Sequence, residues 1–262
     1  MLKVKKKNIS SKNEGFTPCN LINEQYVKNK MQFFNWFSTP FVQCQWENSE
    51  SLNSNLKKLI LEREKIDSGV ARSNDGGWQS AGDFYRWTGE SGKIVKERFL
   101  SLIKIATKKL NFPETKSMDF HLYSWACINR KGHYNIDHIH PMSTWSGVYY
   151  VDAGDEINKD KCGCFEAYHP NVSHVTSFFP GLSSGIEALQ PKSSLMVLFP
   201  GYLRHGVRTY YGNRPRICIP MNSMVKFKKK KKPLSPLSQF LSKNYDHDET
   251  IGYLGDKKER NA

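Results

Sequence analysis

The chain has 262 residues, of which 13% are aromatic, and it carries a formal net charge of +14. This length is enough for one large domain or two small ones with a hydrophobic core, and the aromatic content excludes disorder through the middle of the chain. Lysine runs at residues 3–7 and 226–232 supply much of the charge. Such runs can bind nucleic acid, but we interpret these as solvated tails.

The cysteines and the hydropathy pattern bear on the compartment. Six cysteines are scattered without Cys-x-x-Cys pairs, which is typical of a reducing environment. Cys162 and Cys164 lie near His169 and His174, but Cys-x-Cys does not match the spacing of zinc sites, so we expect no zinc there. No apolar run is long enough to span a membrane, and the N-terminus lacks the apolar segment of a secretory signal. We therefore expect a cytoplasmic protein without membrane contact, and leave a viral or phage origin open.

Composition divides the chain into three regions. Residues 1–32 are polar and lysine-rich, which predicts a flexible, basic N-terminus. Residues 33–225 predict a single packed domain, and residues 226–262 predict a basic and then polar C-terminal tail. The packed region opens with an aromatic run at residues 33–42, which predicts an edge strand interrupted by Pro40.

Two amphipathic helices are predicted at the start of the packed region. Residues 49–65 place leucine and isoleucine at near-helical spacing. Residues 92–110 carry one apolar stripe surrounded by lysines, and the Asn-Phe-Pro sequence at residues 111–113 ends this helix. Between the two helices, the glycine pair within residues 72–80 predicts a loop.

From residue 118 onward the pattern changes to short β-rich runs separated by Gly, Pro, Asn and Asp. The runs cover residues 118–130, 144–152, 164–168, 174–179, 194–200, 205–210 and 215–225. This pattern is typical of a sandwich or barrel rather than of βαβ units. We predict an α+β fold in which the helices lie against one sheet.

The last β-rich run has a clear two-residue alternation. One face would carry Ile217, Ile219 and Met221, and the other would carry Arg216, Cys218 and Asn222. The apolar face can pack under the helices, whereas the opposite face can line an interior.

Two histidines separated by one residue are the first candidates for chemistry. If the segment is extended, His138 and His140 project from the same face, and Pro141 then ends the strand. A pair of nitrogen ligands at the mouth of a β-structure indicates a metal site. The alternative is that one histidine packs in the core and the other is solvated.

A third histidine and an arginine extend this hypothesis. His205 follows a buried strand, and Arg216 lies on the next strand of the chain. Three ligands on one side of a metal leave three positions open, as in non-heme Fe(II) oxygenases. An arginine one hairpin away could bind the far carboxylate of a dicarboxylic cosubstrate through two hydrogen bonds.

Motifs at residues 73–80, 138–151, 198–207 and 214–219 occur in an order that resembles a known family. They are similar to the Fe(II)/2-oxoglutarate-dependent dioxygenases, and most similar to a bacterial and phage group with a His-x-His-Pro-x-Ser and Ser-Gly-Val-Tyr-Tyr-Val segment. The resemblance implies a double-stranded β-helix, or jelly-roll, with iron at its open end. It also implies Fe(II), 2-oxoglutarate and O₂ as cofactor and cosubstrates.

The resemblance also implies roles for individual residues. His138 and His205 resemble the family's histidine ligands, and His140 stands where the wider superfamily has a carboxylate. Arg216 resembles the residue that binds the C5 carboxylate of 2-oxoglutarate. Tyr150 matches a tyrosine that contacts the same carboxylate in prolyl-hydroxylase relatives, with packing in the core as the alternative.

Several neighbouring residues receive weaker assignments. Asn129 is a further candidate for the cosubstrate pocket, as are Trp125 and Trp78, although packing explains the tryptophans equally well. Asp137 is predicted to face away from the metal because of its parity in the strand. Cys218 occupies a position where many relatives have serine.

The predicted function is the hydroxylation of a protein side chain or small metabolite, with succinate and CO₂ as co-products. One alternative is a nucleic-acid oxidative demethylase on the same chemistry, which the basic ends prompt but which we do not favour. The other is a cupin-like module that binds a metal without turnover. The sequence identifies neither the substrate nor the oligomeric state.

Overall fold

The computed structural model describes residues 31–32, 38–110, 118–156, 161–171 and 185–227. Contacts divide the chain into Met1–Ser38 and Thr39–Ala262, and the elements below belong to the second unit. Its helices are α1 (Glu50–Ile66), α2 (Phe84–Trp87) and α3 (Gly89–Lys109). Its strands are β1 (Val42–Gln45), β2 (Asn74–Asp75), β3 (Trp78–Gln79), β4 (Met118–Ser124), β5 (Cys127–Asn129), β6 (Tyr134–His138), β7 (Trp145–Asp152), β8 (Phe165–Tyr168), β9 (Ile186–Leu189), β10 (Leu195–Pro200), β11 (His205–Val207) and β12 (Arg216–Phe227).

The strands form two antiparallel sheets. The larger sheet has seven strands in the order β1-β10-β7-β12-β5-β3, with β4 also paired to β12. The smaller sheet has five strands in the order β2-β6-β11-β8-β9. Strands that are close in sequence alternate between the sheets, as β6, β7 and β8 do. The predicted double-stranded β-helix is therefore confirmed.

The two longer helices cover one face of the larger sheet, as predicted. Their buried side chains include Leu56 and Ile60 from α1 and Phe99 from α3. These side chains share one apolar core with Ile217 and Ile219 of β12. Burying a side chain of this size stabilises the fold by about 1.5–3 kcal/mol, so the helix–sheet interface is a main source of stability.

A second apolar cluster lies between the two sheets. Phe165 of the smaller sheet packs there with Tyr150, Phe199 and Cys218 of the larger sheet. The alternation of β12 therefore follows the prediction: Ile217 faces the helices, and Cys218 faces the space between the sheets. This interior is where the candidate site lies.

The structure also departs from the sequence-based expectations in detail. The predicted strand at residues 118–130 divides into β4 and β5, and the edge strand β1 begins two residues after Pro40. Strand β9 was not predicted, because Ile186 and its neighbours form an exposed edge with little apolar character. Within the described residues, none of the helices combines the length and the apolar character needed to cross a bilayer.

Some predictions fall outside the described residues. These are the flexible N-terminal segment except for residues 31–32, the aromatic run at residues 33–37, the helix end at residues 111–113, the strand at residues 174–179 and the tail beyond residue 227. The proposed domain limits of 33–225 therefore stay a prediction.

Candidate metal centre

His138 is brought to the site by an irregularity in β6. In the pairing of β6 with β11, His138 lies opposite His205 and Asn135 lies opposite Val207. A separation of three residues on β6 therefore matches a separation of two residues on β11. This β-bulge turns both Asn135 and His138 toward the interior, although their spacing would place them on opposite faces of a regular strand. Its extra residue also increases the local twist at the end of the sheet.

Asp137 lies on the outer side of the same strand, as its parity predicted. Its Oδ2 accepts a hydrogen bond from Arg204 Nη2 at 3.1 Å, so the carboxylate is held in an ion pair away from the histidines. Gly206 makes room for it, because a Cβ at that position would lie 2.4 Å from Asp137 Oδ1. Asp137 is therefore no substitute for a carboxylate ligand in this arrangement.

His140 lies beyond the end of β6, in the turn that Pro141 imposes. Its backbone N–H donates to the carbonyl of Gly201 at 2.8 Å, which holds this turn against the one after β10. The two turns meet closely, since a Cβ on Gly201 would lie 2.4 Å from the Ser143 carbonyl and 2.8 Å from the His140 carbonyl. Backbone contacts, rather than strand alternation, thus bring His140 beside His138.

His205 is the buried member of the group. It begins β11 directly opposite His138, and its ring packs against Phe165 and Phe199, with centroid distances of 5.2 and 4.6 Å. Its Nδ1 lies 2.8 Å from the Leu203 carbonyl, and His138 Nδ1 lies 2.7 Å from the Ile136 carbonyl. A carbonyl only accepts, so in the neutral rings both Nδ1 atoms carry the proton and both Nε2 atoms keep a lone pair.

The three imidazoles converge on one point. Their ligand atoms lie within 4.8 Å of one another, and this is the group of potential ligands found in the described parts of the chain. Ring centroids are 4.4 Å apart for His138 and His205, 4.9 Å for His138 and His140, and 5.0 Å for His140 and His205. Cys162 and Cys164 do not belong to this group; the Tyr211 N–H donates to Cys162 Sγ, and Cys164 contacts Gln190.

The environment keeps these rings neutral. Burial, together with the neighbouring imidazoles, lowers the pKa of His140 to about 3 and that of His205 to about 4. Burial also lowers the pKa of His138. Neutral imidazole is the form that binds a metal, and such nitrogens suit iron and similar divalent ions. The donor set therefore fits Fe(II).

The same cavity contains a buried arginine that has no acidic partner among the described residues. Arg216 is 2% exposed, and its Nε has no hydrogen-bond partner among the described residues. Its guanidinium carbon lies 5.2 Å from the centre of the Tyr150 ring, and its Nη1 is 3.9 Å from Cys218 Sγ. A buried charge of this kind is costly unless an anion pairs with it, so the pocket is suited to a carboxylate.

Tyr150 adds a second unpaired donor. Its hydroxyl is buried, without a hydrogen-bond partner in the described ranges, and burial raises its pKa, so the phenol stays protonated. Its neighbour Tyr149 points the other way and donates to Asn53 Oδ1 of α1 at 2.7 Å. The structure therefore places Tyr150 in the cavity and Tyr149 under the helices.

The remaining candidates separate into those that line the cavity and those that do not. The lining includes the three histidines with Arg216, Tyr150, Cys127, Cys218, Ser73, Gln79, Asn135 and Trp125. Asn129 is buried and donates to Asn135 Oδ1 at 3.2 Å, but it is not among the lining residues, so its cosubstrate role stays a prediction. Trp78 packs in the helix-covered core.

Three contributors escaped the sequence analysis. Asn135 enters only through the β-bulge, which a strict two-residue alternation does not reveal. Gln79 lies in the predicted loop, but its type alone gave no reason to select it. Cys127 lies opposite Cys218 in the pairing of β5 with β12. The Cys127 side chain and Arg216 together lower the pKa of the Cys218 thiol.

Comparison with known families agrees with this geometry. A family model described as "Putative 2OG-Fe(II) oxygenase" matches residues 123–222, a segment that contains the three histidines, Tyr150 and Arg216. No curated protein sequence matches the chain.

Solved structures are similar to this chain at low sequence identity. The α-ketoglutarate-dependent carbocyclase SnoK from nogalamycin biosynthesis has 12% identity and a TM-score of 0.52, over 86% of this chain and 94% of that one. A Pseudomonas putida prolyl-4-hydroxylase has 12% identity and a TM-score of 0.50, over 74% of this chain and 95% of that one. A Trichoplax adhaerens prolyl hydroxylase, solved with a hypoxia-inducible-factor peptide, has 14% identity and a TM-score of 0.50, over 70% of this chain and 83% of that one. At these identities the likeness shows a shared fold.

The family match, the fold and the histidine cluster lead to one assignment. The family implies Fe(II), 2-oxoglutarate and O₂, and the neutral imidazoles with the unpaired Arg216 fit the first two of these. Residues 123–222 are thus similar to the 2OG-Fe(II) oxygenases, and the fold and the histidine cluster agree with that similarity.

Proposed function

We propose that this oxygenase hydroxylates a C–H bond in a protein side chain or a small metabolite, with succinate and CO₂ as co-products. The observation that carries the proposal is the presence, in one cavity, of three neutral histidines and a buried arginine that lacks an acidic partner among the described residues. The first group suits a divalent metal, and the second suits the distal carboxylate of a dicarboxylic acid.

Each group in the cavity has a distinct task in this proposal. His138, His140 and His205 would hold the metal through their Nε2 atoms and leave the other coordination positions free. Arg216 would bind the distal carboxylate of 2-oxoglutarate, and the Tyr150 hydroxyl would donate to the same group. Bound in this way, the iron and the cosubstrate supply the oxidising chemistry, while the protein orients the reactants.

The walls of the cavity restrict water. Phe165, Phe199 and Val148 contribute apolar surface to its lining. An apolar wall strengthens the attraction between Arg216 and a bound carboxylate, because the local dielectric constant is lower than in water.

The test is cosubstrate turnover by the purified full chain. Fe(II) and 2-oxoglutarate are added without oxygen, oxygen is then admitted, and succinate is measured over time. We expect succinate to form slowly without substrate, and to form faster when the correct substrate is added from a panel of peptides and metabolites. His205→Ala, which removes one metal ligand, should abolish succinate formation.

The two alternatives make different predictions in the same assay. A cupin-like module would bind metal but form no succinate under any condition. A nucleic-acid demethylase would respond to methylated oligonucleotides, with binding that weakens steeply as salt rises. Of the two lysine runs that prompted this alternative, only Lys226 lies within the described residues, and none of the cavity contacts described above favours it.

A further inference from the structure

Asn222 connects a metal-binding histidine to the centre of the larger sheet. It lies on β12, is 3% exposed, and stands opposite Ser146 of β7 and Tyr123 of β4 in the strand register. Its Nδ2 is 3.2 Å from His140 Nδ1 and donates to the Tyr123 hydroxyl at 2.8 Å. Its Oδ1 accepts a hydrogen bond from Ser146 Oγ at 2.7 Å. The amide is thus fixed from three sides.

This partner sets His140 apart from the other two histidines. The Nδ1 atoms of His138 and His205 face backbone carbonyls, which only accept hydrogen bonds and therefore fix the proton on Nδ1. An amide offers a donor on one side and an acceptor on the other. When its NH₂ group faces His140, Nδ1 must accept, and the ring proton then occupies Nε2, where it blocks coordination.

A half-turn of the amide reverses this outcome without moving its neighbours. Oδ1 then accepts from both His140 Nδ1–H and the Tyr123 hydroxyl, while Nδ2 donates to Ser146 Oγ. The three contacts survive because each hydroxyl can donate or accept. His140 Nε2 is then free to bind a metal.

We propose that Asn222 is a positioning residue that selects the metal-binding tautomer of His140 and fixes the direction of its ring. The proposal rests on the three-histidine metal site. In metalloproteins, the hydrogen-bond partner of a ligand histidine commonly alters metal affinity about 10- to 100-fold. Here a neutral amide would fill a place that a carboxylate often fills, so the proton position at His140 depends on which way the amide points.

A purely structural role for Asn222 is the competing explanation. Its bonds to Tyr123 and Ser146 join three strands, and losing them would disturb the sheet without any special effect on the metal. Tyr123→Phe and Ser146→Ala are matched controls, since each removes one hydrogen bond of the same amide and leaves the contact with His140.

The experiment measures Fe(II) affinity in the absence of oxygen, by competition with a chelator, using the full chain. We expect Asn222→Leu, which keeps the volume but not the hydrogen bonds, to bind about 10- to 100-fold more weakly. Asn222→Asp should restore the affinity or exceed that of the wild type, because a carboxylate accepts from His140, Tyr123 and Ser146 together. The two controls should stay within about threefold of the wild type, since the His140 contact is intact.

Nitrogen-15 NMR of the imidazole rings supplies a readout that a structural role would not move. In metal-free protein, we expect His140 to carry its proton on Nδ1 in Asn222→Asp and on Nε2 in Asn222→Leu, while His138 and His205 keep theirs on Nδ1. The same His140 tautomer in both variants would overturn the proposal, as would Asn222→Leu binding Fe(II) as tightly as the wild type. If Asn222→Leu fails to fold, Asn222→Asp still decides, because a His140 proton on Nε2 in that variant would contradict the role. Wild-type protein that binds no Fe(II) would instead refute the metal site itself.

Discussion

Arg216→Met is the substitution that separates cosubstrate binding most sharply from folding. The guanidinium is buried, and among the described residues it contacts only weak partners, Cys218 Sγ and the Tyr150 ring. Methionine fills much of the same volume without a charge. The metal-free, cosubstrate-free protein should therefore be as stable as the wild type or more stable, because an unpaired buried charge is removed.

The effect on 2-oxoglutarate should be large. Removing one partner of a buried, hydrogen-bonded charge pair costs about 2–5 kcal/mol. At about 1.4 kcal/mol per tenfold change, the Kd for 2-oxoglutarate should rise between about 30-fold and about 4,000-fold. Arg216→Lys should lie between the wild type and Arg216→Met, because lysine keeps the charge but loses the paired donors of the guanidinium.

Thermal unfolding with and without 2-oxoglutarate measures both effects in one assay. At a concentration of about 100 times its Kd, the cosubstrate should stabilise the wild type by about 2.7 kcal/mol. The same concentration should stabilise Arg216→Met by at most about 0.9 kcal/mol, because its Kd is expected to be at least about 30-fold higher. The assigned role would be wrong if Arg216→Met bound 2-oxoglutarate with the wild-type Kd, or if the substitution only lowered stability and left the response to cosubstrate intact.

Three further substitutions test the histidines, the turn that holds them and the cosubstrate end of the cavity. His140 has a pKa of about 3 against an ordinary 6.5, so on acidification the unfolded chain takes up a proton that the folded protein does not. Lowering the pH of metal-free protein from about 7 to about 5 should therefore reduce the free energy of unfolding by about 2 kcal/mol through this residue. Urea unfolding of His140→Ala should lack this contribution to the pH dependence. Gly201→Ala should destabilise the protein by about 1–3 kcal/mol and weaken metal binding, because its Cβ would meet the His140 and Ser143 carbonyls; wild-type melting and metal affinity would contradict this. Cys218→Ser should tighten 2-oxoglutarate binding by about 0.5–1.5 kcal/mol in calorimetry, since a hydroxyl forms a stronger hydrogen bond than a thiol, and an unchanged Kd would contradict a contact with the cosubstrate.

The fold was predictable because its parts obey local rules. The helical spacing of α1 and α3 and the two-residue alternation of β12 both follow from which face is buried, and each appears in the sequence without knowledge of the partner. Strand β9 lacks that signal, since an exposed edge strand buries too little to require apolar residues. The division of the run at residues 118–130 is a property of the assembled sheet, in which β4 and β5 pair with successive parts of β12 and β5 also pairs with β3.

The site was predictable in its residue types but not in its contacts. The spacing of His138 and His140 suggested convergence through strand alternation, yet His140 lies outside the strand and reaches the site through its bond to Gly201. Asn222 was placed on the interior-facing side of β12, but its contact with His140 spans 82 residues of chain and leaves no local pattern. The sequence likewise gives no local sign of the β-bulge in β6, because the bulge depends on how β6 pairs with β11.

A metal centre built from three neutral histidines should couple the binding of metal and cosubstrate. No acidic side chain is present among the described residues that line the cavity, so a divalent ion adds positive charge near the buried Arg216 without an anionic ligand to offset it. Doubly charged 2-oxoglutarate would place one carboxylate near the ion and the other at Arg216, so it would offset two of the three positive charges. Each should therefore bind more tightly when the other is present, and by the same factor, because the coupling free energy is shared. His140→Asp should reduce that factor, and Kd values for Fe(II) that are equal with and without saturating 2-oxoglutarate would show that charge does not govern the site.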